Sequence, residues 1–239
     1  MPHRTIPTPD NPLFFLDYDG TLAPIVDTPS EAFPHPDAPD LLRDLDAHYP
    51  VWIVTGRFLQ DLTRFISESY QAIGLHGMQE GRLDGDVREL LSSREKMALD
   101  DMRKRVPSVE GITVEEKGPT FAVHYRRAED EEKVIAALED WLEALPPVLS
   151  VIRGKKVYEI RPANLTKGTA VRRIAEAHPD YTPIYLGDDV TDEDAFAALL
   201  QLDRPSVTVK VGEGESTAEY RLSGPDEVMA YLRQFADRT

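Results

Sequence analysis

Leu13-Phe14-Phe15-Leu16-Asp17-Tyr18-Asp19-Gly20-Thr21 is the stretch on which the fold turns. Four apolar residues in a row suit a short strand buried on both faces, as in parallel sheets covered by helices. The run ends on two carboxylates, Asp17 and Asp19, two residues apart. Carboxylates crowded at the end of a buried strand are costly unless a cation or a proton lies between them. Asp19-Gly20 alone would be an ordinary turn, since both residues favour turns. Behind four apolar residues, the whole Asp-x-Asp-Gly-Thr has the pattern of a site.

Further along the chain the same theme repeats. Residues 40–48 carry Leu41, Leu42 and Leu45 at helical spacing, and VWIVT (51–55) is a second buried strand closed by Gly56. Residues 58–70 place Leu59, Leu62, Phe65 and Ile66 on one face, which predicts an amphipathic helix, and AIGLH (72–76) predicts a third strand. Strand, helix, strand, helix, strand implies a parallel sheet with right-handed crossovers. Such sheets bind ligands outside the carboxyl ends of their strands, where Asp17 and Thr55 both fall.

The pattern changes after Gly77. Residues 94–106 and 130–145 are helical in spacing; 112–117 and 120–126 predict hairpin strands joined at Gly118-Pro119, and VLSVI and KVYEI a second pair joined near Gly154. This predicts a separate α+β module over 79–161. The first pattern then returns, with a helix over 167–178, a buried strand ending in PIYLGD, a helix over 191–200, the strand SVTVKV and a closing helix over 225–236. An α/β core over 1–78 and 162–239, interrupted by the insertion, is therefore expected. The proline-rich residues 1–12 predict a loose arm.

Composition narrows the function classes. The 239 residues are 41% hydrophobic and 29% charged, with a formal net charge of −16 and no cysteine. So acidic a chain repels nucleic acid and anionic lipid. Without cysteine, thiolate catalysis, disulfides and Cys-built zinc sites are all excluded. There is no apolar run of about 20 residues to span a membrane, and no signal-peptide core near residue 1, so a cytoplasmic location is expected.

Two further clusters join the first. Gly187-Asp188-Asp189-Val190-Thr191-Asp192-Glu193 follows the strand PIYL, with acidic residues too dense to sit there without a metal ion. Thr191 with Asp194 offers a helix cap. Hard oxygen ligands without Cys or clustered His favour Mg²⁺ over zinc. Lys167 opens a predicted helix, where the dipole disfavours a cation, so it calls for an anionic partner. Thr55-Gly56-Arg57 offers a hydroxyl and a backbone N–H for a phosphate oxygen. No G-x-S-x-G or H-E-x-x-H motif is present, so serine-hydrolase and zinc-peptidase readings have no support.

In order along the chain, DYDGT, the strand-end Thr55, Lys167 and GDDVTDE resemble the four motifs of the haloacid dehalogenase (HAD) superfamily. LDYDGTLAPIV, IVTGR, LHGM, VHYR, KVYEIRP, KGTAV and PIYLGDDVTDEDAF together look like the trehalose-6-phosphate phosphatase family, over about residues 13–197. The resemblance implies a HAD-type Rossmann-like core with an inserted α+β cap domain, and Mg²⁺-dependent hydrolysis of trehalose 6-phosphate through an aspartyl phosphate on Asp17. It implies Asp19 as general acid and base, and Thr55, Lys167 and the Gly56 N–H, with Gly20, Thr21 and Arg57 beside them, as ligands of the phosphoryl group. It implies Mg²⁺ on Asp17, the Asp19 backbone carbonyl and Asp188. Asp189 and Asp192 would orient either Lys167 or metal-bound water. In the cap, Lys117, His124, Arg126 and Glu159 would contact the sugar. The rival readings are the same chemistry on sucrose 6-phosphate or a glucosyl- or mannosylglycerate phosphate, and a phosphomutase. A monomer acting on a small sugar phosphate is expected, with no nucleic-acid or membrane partner.

Overall fold

A computed structural model describes residues 5–238 of the chain. The chain divides into two units, Met1–Leu90 with Thr166–Thr239, and Leu91–Leu165.

The larger unit is built on an eight-stranded sheet. Its strands are β1 (Pro12–Asp17), β2 (Val51–Val54), β3 (Gln71–Gly74), β4 (Gln79–Arg82), β5 (Val87–Glu89), β10 (Thr182–Gly187), β11 (Val207–Val211) and β12 (Tyr220–Leu222). They lie in the order β12-β11-β10-β1-β2-β3-β4-β5, and only the β3–β4 and β4–β5 pairings are antiparallel. From β1 the chain winds outward through β2 and β3, and on its return through β10, β11 and β12 it winds the other way. The order therefore reverses between β1 and β10, which is where a doubly wound sheet opens a crevice at its carboxyl edge.

The alternation of β1 explains its uninterrupted apolar run. Phe14 and Leu16 enter a cluster with Leu41, Leu45, Leu232 and Phe235, and Leu13 and Phe15 enter another with Val171, Ile174, Tyr185 and Phe196. Helices α1 (Ala38–Asp46) and α7 (Pro225–Ala236) supply the first cluster; α5 (Lys167–Ala177) and α6 (Glu193–Leu200) supply the second. Both faces being covered, no strand position of β1 can be polar until the chain leaves the sheet at Asp17.

The smaller unit has a four-stranded antiparallel sheet in the order β6-β7-β9-β8, from β6 (Thr113–Lys117), β7 (Thr120–His124), β8 (Leu149–Gly154) and β9 (Val157–Pro162). Helices α3 (Ser93–Lys104) and α4 (Glu131–Leu142) join it through Trp141, whose ring meets Phe121 and whose Nε1 donates to the Met102 carbonyl at 3.1 Å. Phe121, Val123, Tyr158 and Ile160 are buried on this side.

Four expectations are corrected. The insertion begins at 91, not 79, and ends at 165, because residues 79–82 and 87–89 pair as β4 and β5 at the edge of the large sheet. Their polar composition (QEGR, VRE) hides them from a pattern search. The helix expected over 58–70 is one turn, α2 (Leu59–Leu62). Thr63, Ser67 and Ser69 beyond it have hydroxyls that compete for local hydrogen bonds, as Thr63 does with the Gln60 carbonyl at 2.7 Å. The strand expected over 72–76 stops at Gly74, and Leu75 and His76 turn away with positive φ. Residues 5–11 are not loose: Tyr231 donates to the Pro7 carbonyl, Arg238 to that of Thr8, and the Thr182 N–H to that of Asn11. Residues 1–4 of the expected arm lie outside the described residues. Among the described residues no helix is long and apolar enough to cross a membrane.

Candidate active site

Asp17 is the last residue of β1, and it stays on the α5 side of the sheet in step with Leu13 and Phe15. Lys167 is the first residue of α5, whose N-cap Thr166 accepts from the Thr169 N–H at 3.2 Å. Cap and strand end together place the ammonium on the carboxylate: Lys167 Nζ donates to Asp17 Oδ1 at 2.6 Å and to Asp192 Oδ1 at 2.7 Å. The anionic partner that a lysine at a helix start calls for is thus this pair of aspartates.

Asp192 is fully buried and accepts three hydrogen bonds. Besides Lys167, its Oδ1 accepts from the Tyr185 hydroxyl at 2.6 Å, and its Oδ2 accepts from the Asp189 N–H at 2.9 Å. Asp189 in turn accepts from the Val190 N–H, so these two aspartates cap the short 3-10 turn Val190–Asp192. The cap expected of Thr191 and Asp194 is not formed; an acceptor one residue before the turn reaches its N–H groups more directly than one inside it.

Asp188 follows β10, across the reversal point from Asp17. One carboxylate oxygen from each of Asp17, Asp188 and Asp192 lies within 4.8 Å of the others. Gly20 makes room for this cluster. Its φ is +79°, where side chains are strained, and a Cβ there would lie 2.7 Å from Asp188 Oδ1. An all-oxygen donor set packed this closely fits a hard divalent cation. Asp192 already accepts three hydrogen bonds, from Lys167, Tyr185 and the Asp189 N–H, so Asp17 and Asp188 are the less encumbered ligands.

The electrostatics point the same way. Burial, then the charge of Asp192, pushes the Asp17 carboxyl well above the usual carboxylate range, with Lys167 opposing. Burial, then Asp192 and Asp189, pushes Asp188 up to about 6. Burial works against the Lys167 ammonium, yet Asp17 and Asp192 overcome it and hold its pKa above the ordinary lysine value. One ammonium among three carboxylates leaves negative charge that a divalent cation would neutralise.

Thr55, directly after β2, is buried and accepts from the Arg57 N–H at 3.1 Å, so its hydroxyl proton is left to be donated elsewhere. Arg57 forks onto Asp19, Nε to Oδ2 at 2.7 Å and Nη2 to Oδ1 at 2.6 Å. Its guanidinium lies over the rings of Tyr18 and Phe65, and Nη1 donates to the Pro29 carbonyl at 2.8 Å. Of the two partners Asp19 is the more exposed, and Arg57 is the anchored one. Thr21 is buried.

Three residues here escaped the sequence reading. Tyr185 and Lys210 carry polar groups inside the mostly apolar strands PIYLG and VTVKV, and that interruption was the available signal. Lys210 donates to the Asp188 backbone carbonyl. The third, His76, lay within the motif LHGM without being given a role of its own.

A trehalose-phosphatase family model matches residues 15–226, a span that includes every residue of this site. The chain belongs to the trehalose-phosphatase family. It is 32% identical to trehalose-phosphate phosphatase B of Arabidopsis thaliana over 94% of its own length and 66% of that protein, so it spans about two thirds of this relative. It is 30% identical to trehalose-6-phosphate phosphatase of Escherichia coli (strain K12), over 92% of this chain and 84% of that one. The trehalose-6-phosphate phosphatase structure from Aspergillus fumigatus superposes with a TM-score of 0.78 at 27% identity, covering 96% of this chain and 93% of the other. A haloacid dehalogenase-like hydrolase from B. subtilis, 14% identical with a TM-score of 0.64, shares the fold.

In this family member the smaller unit carries the other expected residues. Pairing sets Glu115 opposite Ala122 and Ala122 opposite Glu159, and Thr113 opposite His124. By alternation Glu115, Lys117, His124 and Glu159 share one face, opposite the side that buries Phe121, Val123, Tyr158 and Ile160. They already pair among themselves. Lys117 Nζ donates to Glu159 Oε2 at 2.9 Å, and His124 Nε2 lies 2.7 Å from Glu115 Oε2. Arg126 is exposed just beyond the end of β7.

Proposed function

We propose that this chain hydrolyses trehalose 6-phosphate to trehalose and phosphate, with Mg²⁺ as cofactor and an aspartyl phosphate on Asp17. The reading is carried by one observation: a buried Asp17 paired with Lys167 at the carboxyl edge of a doubly wound sheet, Asp188 beside it, in a chain of the trehalose-phosphatase family.

Asp17 supplies the nucleophile from the carboxylate oxygen that Lys167 does not hold. That oxygen attacks phosphorus, the Asp17 O–P bond forms, and the bond from phosphorus to the sugar oxygen breaks. Asp19 gives a proton to the departing oxygen and later takes one from the water that releases phosphate. To do so its carboxyl leaves the Arg57 fork, and the anchored Arg57 then marks its resting position. Lys167, the Thr55 hydroxyl and the Gly56 N–H hold phosphoryl oxygens as charge spreads onto them. Asp192 fixes Lys167, and Asp189 caps the turn that carries Asp192. Asp17, Asp188 and the Asp19 backbone carbonyl would hold Mg²⁺, whose charge offsets the repulsion between carboxylate and phosphate. Glu159, Lys117, His124 and Arg126 bind sugar hydroxyls.

The test is phosphate release from a panel of sugar phosphates with Mg²⁺ present. Trehalose 6-phosphate should give the highest kcat/KM. Preference for sucrose 6-phosphate or a glycosylglycerate phosphate would move the substrate assignment, and phosphate moved between sugar positions without release would replace hydrolysis by a mutase.

A further inference from the structure

Leu75 and His76 follow β3 with φ of 48° and 55°. Two consecutive residues other than glycine in the left-handed region are strained, and such strain persists only where the surroundings enforce it. Leu75 is buried, which accounts for its side chain. His76 is only partly buried, and packing in the core does not account for it.

The backbone of this turn is pinned from both sides. The Leu75 N–H donates to the Arg57 carbonyl at 3.0 Å, and the His76 N–H donates to the Thr55 carbonyl at 3.1 Å. Gly77 lies against the N-cap of α5, where a Cβ would stand 2.8 Å from the Thr166 carbonyl carbon. The turn therefore ties Thr55-Gly56-Arg57 to the helix start that carries Lys167. What the pinning places is the imidazole. A Cβ on Gly56 would lie 2.6 Å from His76 Nε2. Gly56 itself is not in the left-handed region, so it is the ring, rather than the backbone conformation, that demands glycine there.

We propose that His76 is a positioning residue of the phosphate pocket. Its imidazole, held against Gly56 by the strained turn, fixes the Thr55–Gly56 peptide so that the Gly56 N–H stays aimed at a phosphoryl oxygen. The proposal rests on the phosphatase reading of the site. Loss of the ring leaves that peptide held on one side only, by the His76 N–H on the Thr55 carbonyl, so the Gly56 N–H drifts and oxyanion binding at the phosphoryl end weakens. It leaves sugar recognition unchanged.

The test is a double-mutant cycle read by calorimetric binding of orthovanadate to the Mg²⁺-loaded protein. His76→Ala and His76→Asn should each weaken binding about tenfold, the worth of one well-aligned hydrogen bond. Asn tolerates the left-handed backbone, so His76→Asn should melt like the wild type and carries the test if His76→Ala does not fold. Gly56→Ala alone should lose at least as much. In a His76→Ala or His76→Asn background it should lose nothing more, because the clash is gone. The two His76 variants should also lower kcat/KM equally for trehalose 6-phosphate and p-nitrophenyl phosphate. Losses that multiply in the double variant, or unchanged vanadate affinity without the ring, would overturn the proposal. A wild type that binds vanadate yet releases phosphate from no sugar phosphate would overturn the functional reading, while the cycle would still decide His76.

Discussion

Asp192→Asn tests how the site holds its lysine. The carboxylate accepts three hydrogen bonds while fully buried, from Lys167, Tyr185 and the Asp189 N–H. An amide can keep its oxygen toward Lys167 and Tyr185, but its NH₂ then faces the Asp189 N–H, donor against donor. One buried bond is lost with a group left unsatisfied, at about 1–3 kcal/mol, and the Lys167 contact changes from an ion pair to a bond between an ammonium and a neutral amide, about 1 kcal/mol weaker. The sum, about 2–4 kcal/mol, should lower Tm by roughly 5–15 °C. The same change removes a negative charge that pushes the Asp17 pKa up, so on electrostatics alone the nucleophile would improve. If Asp192 instead acts by holding Lys167, kcat should fall by about 10- to 100-fold at saturating Mg²⁺. Steady-state phosphate release, calorimetric Mg²⁺ titration and thermal melts measure the three quantities. An unchanged Tm together with a Mg²⁺ dissociation constant raised more than about tenfold would refute this account, for Asp192 would then be a metal ligand first.

Asp17→Asn should abolish turnover while trehalose 6-phosphate still binds by calorimetry; residual turnover near wild type would remove Asp17 as nucleophile. EDTA should silence the enzyme and Mg²⁺ restore it. With Asp188 pushed up to about 6, protons should compete below that pH and weaken Mg²⁺ binding about tenfold per unit; a flat affinity from pH 5 to 7.5 would rule out Asp188 as a ligand. The sign for stability is opposite, since a raised carboxyl pKa means the metal-free fold loses stability as pH climbs from the unfolded value toward 6 and keeps that deficit above it. Glu159→Ala should lower kcat/KM for trehalose 6-phosphate by roughly 30- to 1000-fold and leave p-nitrophenyl phosphate nearly untouched; equal losses on both would make Glu159, through its Lys117 pair, a structural residue.

Much of the site was legible because its signals are local. Asp17 and Asp188 each end an apolar run whose period and length already define a buried strand, and the position of a carboxylate after such a run requires no knowledge of the fold. Lys167 was visible as a cation at the wrong end of a helix. The core strands β1, β2, β10 and β11 were legible for the same reason, since burial on both faces leaves nothing polar to confuse the pattern. Strands β5 and β12 were not, because an edge exposes side chains and admits VRE and YRL, and β4, between β3 and β5, was hidden because it buries polar Gln79 and Glu80 on hydrogen-bond partners, the Leu59 N–H and Arg88. The insertion boundary was misplaced by the same effect.

The tertiary structure alone decided which acidic residue does what. Asp188, Asp189 and Asp192 are indistinguishable as letters in GDDVTDE. The 3-10 turn aims them apart: Asp189 caps the turn, Asp192 points inward to Lys167 and Tyr185, and Asp188 stands beside Asp17. Arg57 offers the same lesson. In sequence it is a cation beside Gly56; in space two aromatic rings and a carbonyl anchor it on Asp19. Hydrophobic periodicity is a property of neighbours in the chain, so the sequence by itself determined the central strands of the sheet and the carboxylates at their ends. Partners 38, 150 or 25 residues apart meet only after the strands are ordered and the helices docked, and no local pattern encodes which of several carboxylates a lysine will find.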